Sequence, residues 1–308
     1  MPRPRHLLTL AELSTTQIEH IFSITEDLKT KYQQGLREAI LPGRVMAMLF
    51  EKPSLRTRVS FEAGMVNLGG GALFLGRESG FGHRESIADF GRVLSEYVDV
   101  IVVRANRHQT VVDLAEYCTC SVINGLTDFA HPCQAMADLF TLRELVGKLE
   151  GHTLAWIGDA NNVARSLALG CGKLGVRMAM ATPPGYRFDR ESMAMLRKEA
   201  PKLDLVITDD PAEAVRDAVA VYTDVWTSMG QEAESEQRRR DFARYQVNAE
   251  LMALTQKGAV FMHCLPAHRG EEVTDEVLDG PQSVVVQQAG NRMHVQKGIL
   301  AWLLASKT

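Results

Sequence analysis

The sequence predicts an α/β protein made of two doubly wound parallel-sheet domains with the active site in the cleft between them. Three observations carry that reading. Short runs of continuous Val, Ile, Met, Leu and Ala, such as RVMAMLF (44–50) and DVIVVR (99–104), fit strands buried on both faces, the pattern of parallel sheets. These runs alternate with amphipathic stretches of helical period. The alternation pauses at Lys148–His152 and a second series begins, which divides the chain into residues 1–148 and 149–287, with a final helix (288–308) expected to pack back on the first domain.

In order, the first element is a helix near 15–34. Ser14 and Gln17 have the spacing of a capping box, and Ile18, Ile21, Phe22 and Leu28 fall near one face. RVMAMLF is a strand, 55–69 a helix, GALFL (71–75) a strand, 86–98 a helix, 99–104 a strand, 110–118 a helix and SVING (121–125) a strand. HPCQAMADLFTLRELVG follows as a helix with Pro132 in its first turn, where no backbone donor is needed. The second series reads strand 152–159, helix 161–175, strand 176–183 and helix 191–200. Further strands are expected at 203–210, 219–226, 259–266 and SVVVQQ (283–288), before a last helix, NRMHVQKGILAWLLA (291–305).

The chain has 308 residues, 45% of them hydrophobic and 23% charged, and a net charge of −4, which argues against a nucleic-acid partner. No run approaches 18 apolar residues and the N-terminus lacks an apolar leader core, so no membrane partner and a cytoplasmic location are expected. Five cysteines with no CxxC pairing fit reduced thiols rather than a disulfide framework or a zinc site. No metal and no cofactor are expected. GCGKLG (170–175) matches GxGxxG, but it ends a helix instead of opening one, and is read as C-capping and close packing.

Unusual polar residues gather where strands end and helices begin, which is where open α/β sheets bind ligands. Ser54, Leu55, Arg56 and Thr57 would form the first turn of a helix, whose N–H groups and dipole favour an anion. An arginine there opposes the dipole, so Arg56 needs a ligand to explain it, whereas Arg58 fits a salt-bridged surface residue. Arg104 closes a buried strand, and His131 and Gln134 open a helix at the same edge. In the second half, Asn161 and Asn162 lie between strand and helix as caps or ligand contacts. Asp224 ends a strand and offers a carboxylate to a cation, with Ser228 and Met229 in the loop beyond. Cys264 follows another strand as a nucleophile, a ligand contact or packing. Beside it His263 makes no dyad, since strand neighbours point apart. Arg292 is placed in the first turn of the last helix, and RRR (238–240) on a solvated helix face. Anion binders in the first half and a carboxylate, amides and a thiol in the second suggest a bisubstrate transferase with a phosphate-bearing donor and a small cationic acceptor.

SLRTR (54–58), HPCQ (131–134), DVWTSMG (224–230) and HCLP (263–266), with NRMH near the end, together resemble the motifs of the aspartate/ornithine carbamoyltransferase family, and SMG its ornithine-using branch. The resemblance implies transfer of the carbamoyl group of carbamoyl phosphate to the side-chain amine of L-ornithine, giving L-citrulline and phosphate. It assigns Ser54, Leu55, Arg56, Thr57, Arg104, His131, Gln134, Cys264, Leu265 and Arg292 to carbamoyl phosphate, and Asn162, Asp224, Ser228 and Met229 to ornithine. Arg104, His131, Asp224 and Cys264 would act in catalysis. It further implies arginine biosynthesis and a homotrimer or multiple of trimers. Leu55 stands where the family commonly has threonine, which a backbone N–H role tolerates. Loop 77–83, which in the family reaches a neighbouring subunit, is one residue shorter here, with Gly80 at the usual contact and Arg77 or His83 as substitutes. The rival readings are a carbamoyltransferase for another amine (putrescine or acylated ornithine), a silent anion-binding subunit, and a dinucleotide-dependent oxidoreductase resting on GCGKLG alone.

Overall fold

The structure is a computed structural model that describes residues 5–76, 85–228 and 232–305. It divides into two compact units, one of residues 1–137 with 291–308, the other of residues 138–290.

In the first unit the order is α1 (Thr15–Gln33), β1 (Val45–Phe50), α2 (Leu55–Asn67), β2 (Gly71–Leu75), α3 (Ile87–Leu94), β3 (Val100–Arg104), α4 (His108–Tyr117), β4 (Ser121–Leu126) and the start of α5 (Pro132–Val146). Ser14 caps α1 through the expected box: its hydroxyl accepts from the Gln17 N–H, and Gln17 reaches back to the Ser14 N–H. The four strands are all parallel in the order β2-β1-β3-β4. Strand order reverses between β1 and β3, where Phe50 stands beside Arg104. A core of Leu49, Ile101, Val103, Val111, Leu114 and Val122 fills one side of this sheet.

The second unit continues through β5 (Thr153–Ile157), α6 (Asn162–Leu174), β6 (Arg177–Ala181), α7 (Arg190–Glu199), β7 (Leu205–Thr208), α8 (Pro211–Val215), β8 (Ala218–Thr223), α9 (Ser235–Phe242), α10 (Ala249–Met252), β9 (Val260–His263), α11 (Asp275–Leu278) and the start of α12 (Val285–Leu304). Its five strands are parallel in the order β7-β6-β5-β8-β9, and the order reverses between β5 and β8. Gly175 ends α6 with φ +71, and a Cβ on Gly172 would lie 2.7 Å from the Ala200 Cβ. These glycines therefore do the capping and close packing read from GCGKLG, since a left-handed C-cap favours glycine.

The strand expected at SVVVQQ is not formed. Ser283 makes an isolated bridge to Phe261, and α12 starts at Val285. Three consecutive apolar β-branched residues, Val284 to Val286, suggested a buried strand, but burial follows helical spacing: Val285 and Gln288 are buried, while Val286 is 80% exposed. This early start moves Arg292 from the expected first turn to the third, away from the helix N-terminus. The C-terminal part of α12 belongs to the first unit, where a Cβ on Gly298 would overlap the Thr25 hydroxyl of α1.

Candidate active site

In the first unit the residues singled out by sequence gather at the reversal point of strand order. Ser54 caps α2: its hydroxyl accepts from the Thr57 N–H at 3.3 Å and donates to Thr57 Oγ1 at 3.1 Å. Arg292 donates to the same Thr57 oxygen at 3.0 Å and also to Gln134 Oε1. With both lone pairs engaged, the Thr57 hydroxyl proton is directed outward as a donor. The first N–H groups of α2, at Leu55 and Arg56, have no carbonyl available within the helix. The Leu55 side chain is 76% exposed, so the commoner threonine is not needed for packing there. Thr57, Arg104, His131, Gln134 and Arg292 are buried, and Arg56 is exposed.

Electrostatics follow from this crowding of cations. Burial, then the charges of Arg292 and Arg56, lower the Arg104 guanidinium to about 10. Burial, then Arg292 and Arg104, push His131 well below the ordinary imidazole range, so it stands neutral at physiological pH. Three guanidiniums close enough to repel, beside a neutral imidazole, form a site made for a multiply charged anion. Arg58 differs: it pairs with Glu62 at 3.3 Å and lies over the Phe74 ring at 3.9 Å, the surface role expected of it.

In the second unit Asp224 stands one residue past β8. Its Oδ1 accepts from the Val225 N–H at 2.8 Å and the Cys264 thiol at 3.0 Å; its Oδ2 accepts from Asn161 at 2.8 Å. Asn161 also caps α6, accepting from the Val163 and Ala164 N–H groups at 3.0 Å each. The amide joined to Asp224 is thus Asn161, whereas Asn162, the one assigned to ornithine, begins the helix and accepts from the Val163 N–H at 3.0 Å. Ser228 is half-buried at the end of this loop, and Met229 and loop 77–83 lie outside the described residues.

His263 and Cys264 do not point apart as expected, since their ligand atoms lie within 4.8 Å of one another, but they make no dyad: the thiol donates to Asp224 and the imidazole is engaged elsewhere. The imidazole Nδ1 accepts from the Leu265 N–H at 2.8 Å, so Nε2 carries the proton, which goes to Glu272 at 3.2 Å. Leu265 adopts φ +58, a left-handed conformation unusual outside glycine. Ligand atoms of Asp224, His263 and Cys264, and those of His268, Glu271 and Glu272, lie close enough to hold a cation. In the first group both imidazole nitrogens are already engaged.

The solvated face expected for RRR is correct only for Arg239 and Arg240, which are exposed. Arg238 is buried, pairs with Asp159, and donates to the Trp226 carbonyl while stacking 4.7 Å from the Tyr186 ring centroid. Burial raises the Asp159 carboxyl above the usual range, with Arg238 opposing. Arg238 thereby joins the loop after β5 to the loop after β8. The available signal was its spacing from Phe242 and Tyr245, which puts all three on one helical face.

Residues 5–144 match the aspartate/ornithine carbamoyltransferase carbamoyl-phosphate-binding domain, and residues 150–303 match the Asp/Orn-binding domain of the same proteins. The chain belongs to the aspartate/ornithine carbamoyltransferase family. It is 52% identical to the ornithine carbamoyltransferase of Anoxybacillus flavithermus, over 97% of this chain and 96% of the relative. It is 50% identical to that of Bacillus subtilis, over 97% and 94%. The ornithine carbamoyltransferase structure from Pyrococcus furiosus superposes with a TM-score of 0.95 at 46% identity, covering 99% of this chain and 98% of that one. The resemblance read from five short motifs thus extends over nearly the whole chain. Among the described residues no helix is long and apolar enough to cross a membrane.

Proposed function

We propose that the protein transfers the carbamoyl group of carbamoyl phosphate to the δ-amine of L-ornithine, giving L-citrulline and phosphate. The observation that carries this reading is the crowding of Arg56, Arg104 and Arg292 around a neutral His131, a site for a compact phosphate ester or anhydride. Ser54, Thr57, Arg56 and the N–H groups at Leu55 and Arg56 hold the phosphate. Arg104, Thr57 and His131 donate to the carbonyl oxygen. Gln134 and the backbone carbonyls of Cys264 and Leu265 take the carbamoyl amine, and Arg292 supports the donor while holding Thr57 and Gln134.

Asn162, Asp224, Ser228 and Met229 hold ornithine, with Asp224 receiving the charged side-chain amine. The amine loses its proton and attacks the carbonyl carbon; negative charge grows on the oxygen, where fixed donors are worth most. A neutral His131 donates its single N–H without first losing a proton. The proton first lost by the amine goes to solvent; after the C–N bond forms, the C–O bond to phosphate breaks and the leaving phosphate takes the second proton from the attacking nitrogen. Positioning two substrates together supplies much of the remaining rate. The same reading places the chain in arginine biosynthesis, in the cytoplasm and in a homotrimer or a multiple of trimers.

The test is a steady-state assay of carbamoyl phosphate with L-ornithine, putrescine or N-acetylornithine. Citrulline formation with a kcat/KM at least about 100-fold above the other amines is expected. Preference for putrescine or the acylated amine would replace ornithine as the acceptor.

A further inference from the structure

One buried carboxylate outside the assigned site holds the strand ends that carry it. Asp138 lies on α5, one helical turn beyond Gln134, and is fully buried. Its Oδ2 accepts from the Tyr222 hydroxyl at 3.0 Å, and its Oδ1 accepts from Gln288 Nε2 at 2.7 Å. Gln288 then spends its other end on the backbone, Oε1 accepting from the His263 N–H at 3.0 Å. Tyr222 is two residues before Asp224, and His263 is one before Cys264.

The third strand end is tied in through the ring. Tyr222 stacks on Trp156 at 5.0 Å between centroids, and the Trp156 indole donates to the Asp159 carbonyl at 3.0 Å, in the loop that leads to Asn161. The ends of β5, β8 and β9 therefore hang, directly or in one further step, on a single carboxylate. Burial, then the charge of Asp138, keeps the Tyr222 hydroxyl protonated and able to donate. Hydrogen bonds to a charged acceptor are stronger than neutral ones, and a group held through such a bond is fixed more narrowly.

We propose that Asp138 is a positioning residue for the acceptor site, acting through Tyr222 and Gln288 to set the spacing of Asp224, Asn161 and Cys264. It touches no substrate. This rests on the reading of Asp224 as the ornithine carboxylate. In Asp138→Asn the charge is gone and only one terminal atom accepts, so Gln288 keeps its acceptor only if Tyr222 turns its hydroxyl to accept from the new amide, and both bonds become weaker neutral ones.

Two measurements on the full-length protein test it. In the steady state, Asp138→Asn should raise the KM for ornithine at least 10-fold and Tyr222→Phe about 3-fold, with the KM for carbamoyl phosphate moving less than 2-fold. A purely structural role would lower the active fraction and hence kcat, leaving both KM values in place. Independently of any substrate, the half-buried Cys264 should react with an aromatic disulfide reagent several-fold faster in Asp138→Asn, Tyr222→Phe and Gln288→Leu, as its bond to Asp224 loosens; Cys264→Ala identifies its signal. Faster labelling in a protein that makes no citrulline would sustain the positioning role and remove the carbamoyl-transfer reading. Unchanged labelling with an unchanged ornithine KM in the folded Tyr222→Phe and Gln288→Leu proteins would overturn the inference, even if Asp138→Asn does not fold.

Discussion

Replacing Arg238 with Met removes a charge and leaves most of the side-chain volume. The methionine can still lie against Tyr186 and Phe242, whose ring centroids stand 4.7 and 5.5 Å from the guanidinium. What disappears is the ion pair to Asp159, the donor to the Trp226 carbonyl and a longer contact, 3.4 Å, to the exposed Glu234, whose charge stays in water. Arg238 is 3% exposed, and the Asp159 side chain 14%, so water does not replace the lost partner. Breaking one side of such a pair typically costs roughly 3–5 kcal/mol, mostly because the remaining charge is stranded. The orphaned carbonyl adds a desolvation cost of about 1–3 kcal/mol that overlaps with it, since both losses relax the same loop. We expect a net loss of about 3–5 kcal/mol in urea unfolding at pH 7.

A second substitution separates the causes. In Asp159→Asn/Arg238→Met the stranded charge is gone, and the double variant should recover all but about 1–2 kcal/mol, the residual cost of the Trp226 carbonyl. The single variant should also improve on acidification. Burial already raises the Asp159 carboxyl, and without Arg238 opposing it rises further. A raised carboxyl binds its proton more readily in the folded than in the unfolded protein, so the deficit shrinks as pH falls through that range. A loss under 1 kcal/mol in Arg238→Met, or costs in the double variant that simply add, would refute the idea that Arg238 neutralises Asp159 in the fold.

Two further outcomes are expected. Lys297, buried on α12 with its ammonium near the Tyr32 ring and 3.4 Å from the Leu28 carbonyl, falls from 10.5 to about 8 through burial and then Arg37. That fall corresponds to at most about 3 kcal/mol against folding, complete below pH 8 and lost as pH rises to 10.5, so Lys297→Met should gain about 1–3 kcal/mol in urea unfolding at pH 7 and nothing above pH 10.5. Asp224→Asn should raise the KM for ornithine at least about 10-fold with little change for carbamoyl phosphate, because it removes the carboxylate but keeps the shape; the reverse pattern in initial-rate kinetics would mean that the substrates have been exchanged between the two groups of residues.

Much of this was legible because parallel strands and helix starts leave strong local marks. VIVV (100–103) and AVAV (218–221) are apolar throughout because both faces of the sheet are covered, and the polar residues that close or follow such strands, Arg104 and Asp224, stand at the ligand-binding edge. Ser54 was legible as a cap and Arg56 as an anomaly at a helix start. What escaped depended on partners far along the chain. SVVVQQ has β-branched residues that suit a strand, but after Ser283 it continues as a helix. Moving that helix start carried Arg292 two turns inward, so its charge is explained by Thr57 and Gln134 rather than by a helix dipole. Arg238 looked like one of three surface arginines because Asp159 is 79 residues away. Asn161 and Asn162 are equal candidates in sequence, and only the bond to Asp224 separates them. Asp138 sits in a run of ordinary helix formers, and nothing local distinguishes it.

The central claim is that the arginine group of the first unit holds the phosphate of carbamoyl phosphate, and Arg56 tests it most cleanly because its side chain is exposed and supports no packing. The decisive measurement is a calorimetric titration of Arg56→Gly and the unsubstituted protein with freshly dissolved carbamoyl phosphate. The account predicts at least about 30-fold weaker binding, equivalent to about 2 kcal/mol for a charge-assisted phosphate contact, with the urea midpoint shifted little. Undiminished affinity in a folded Arg56→Gly protein would contradict it.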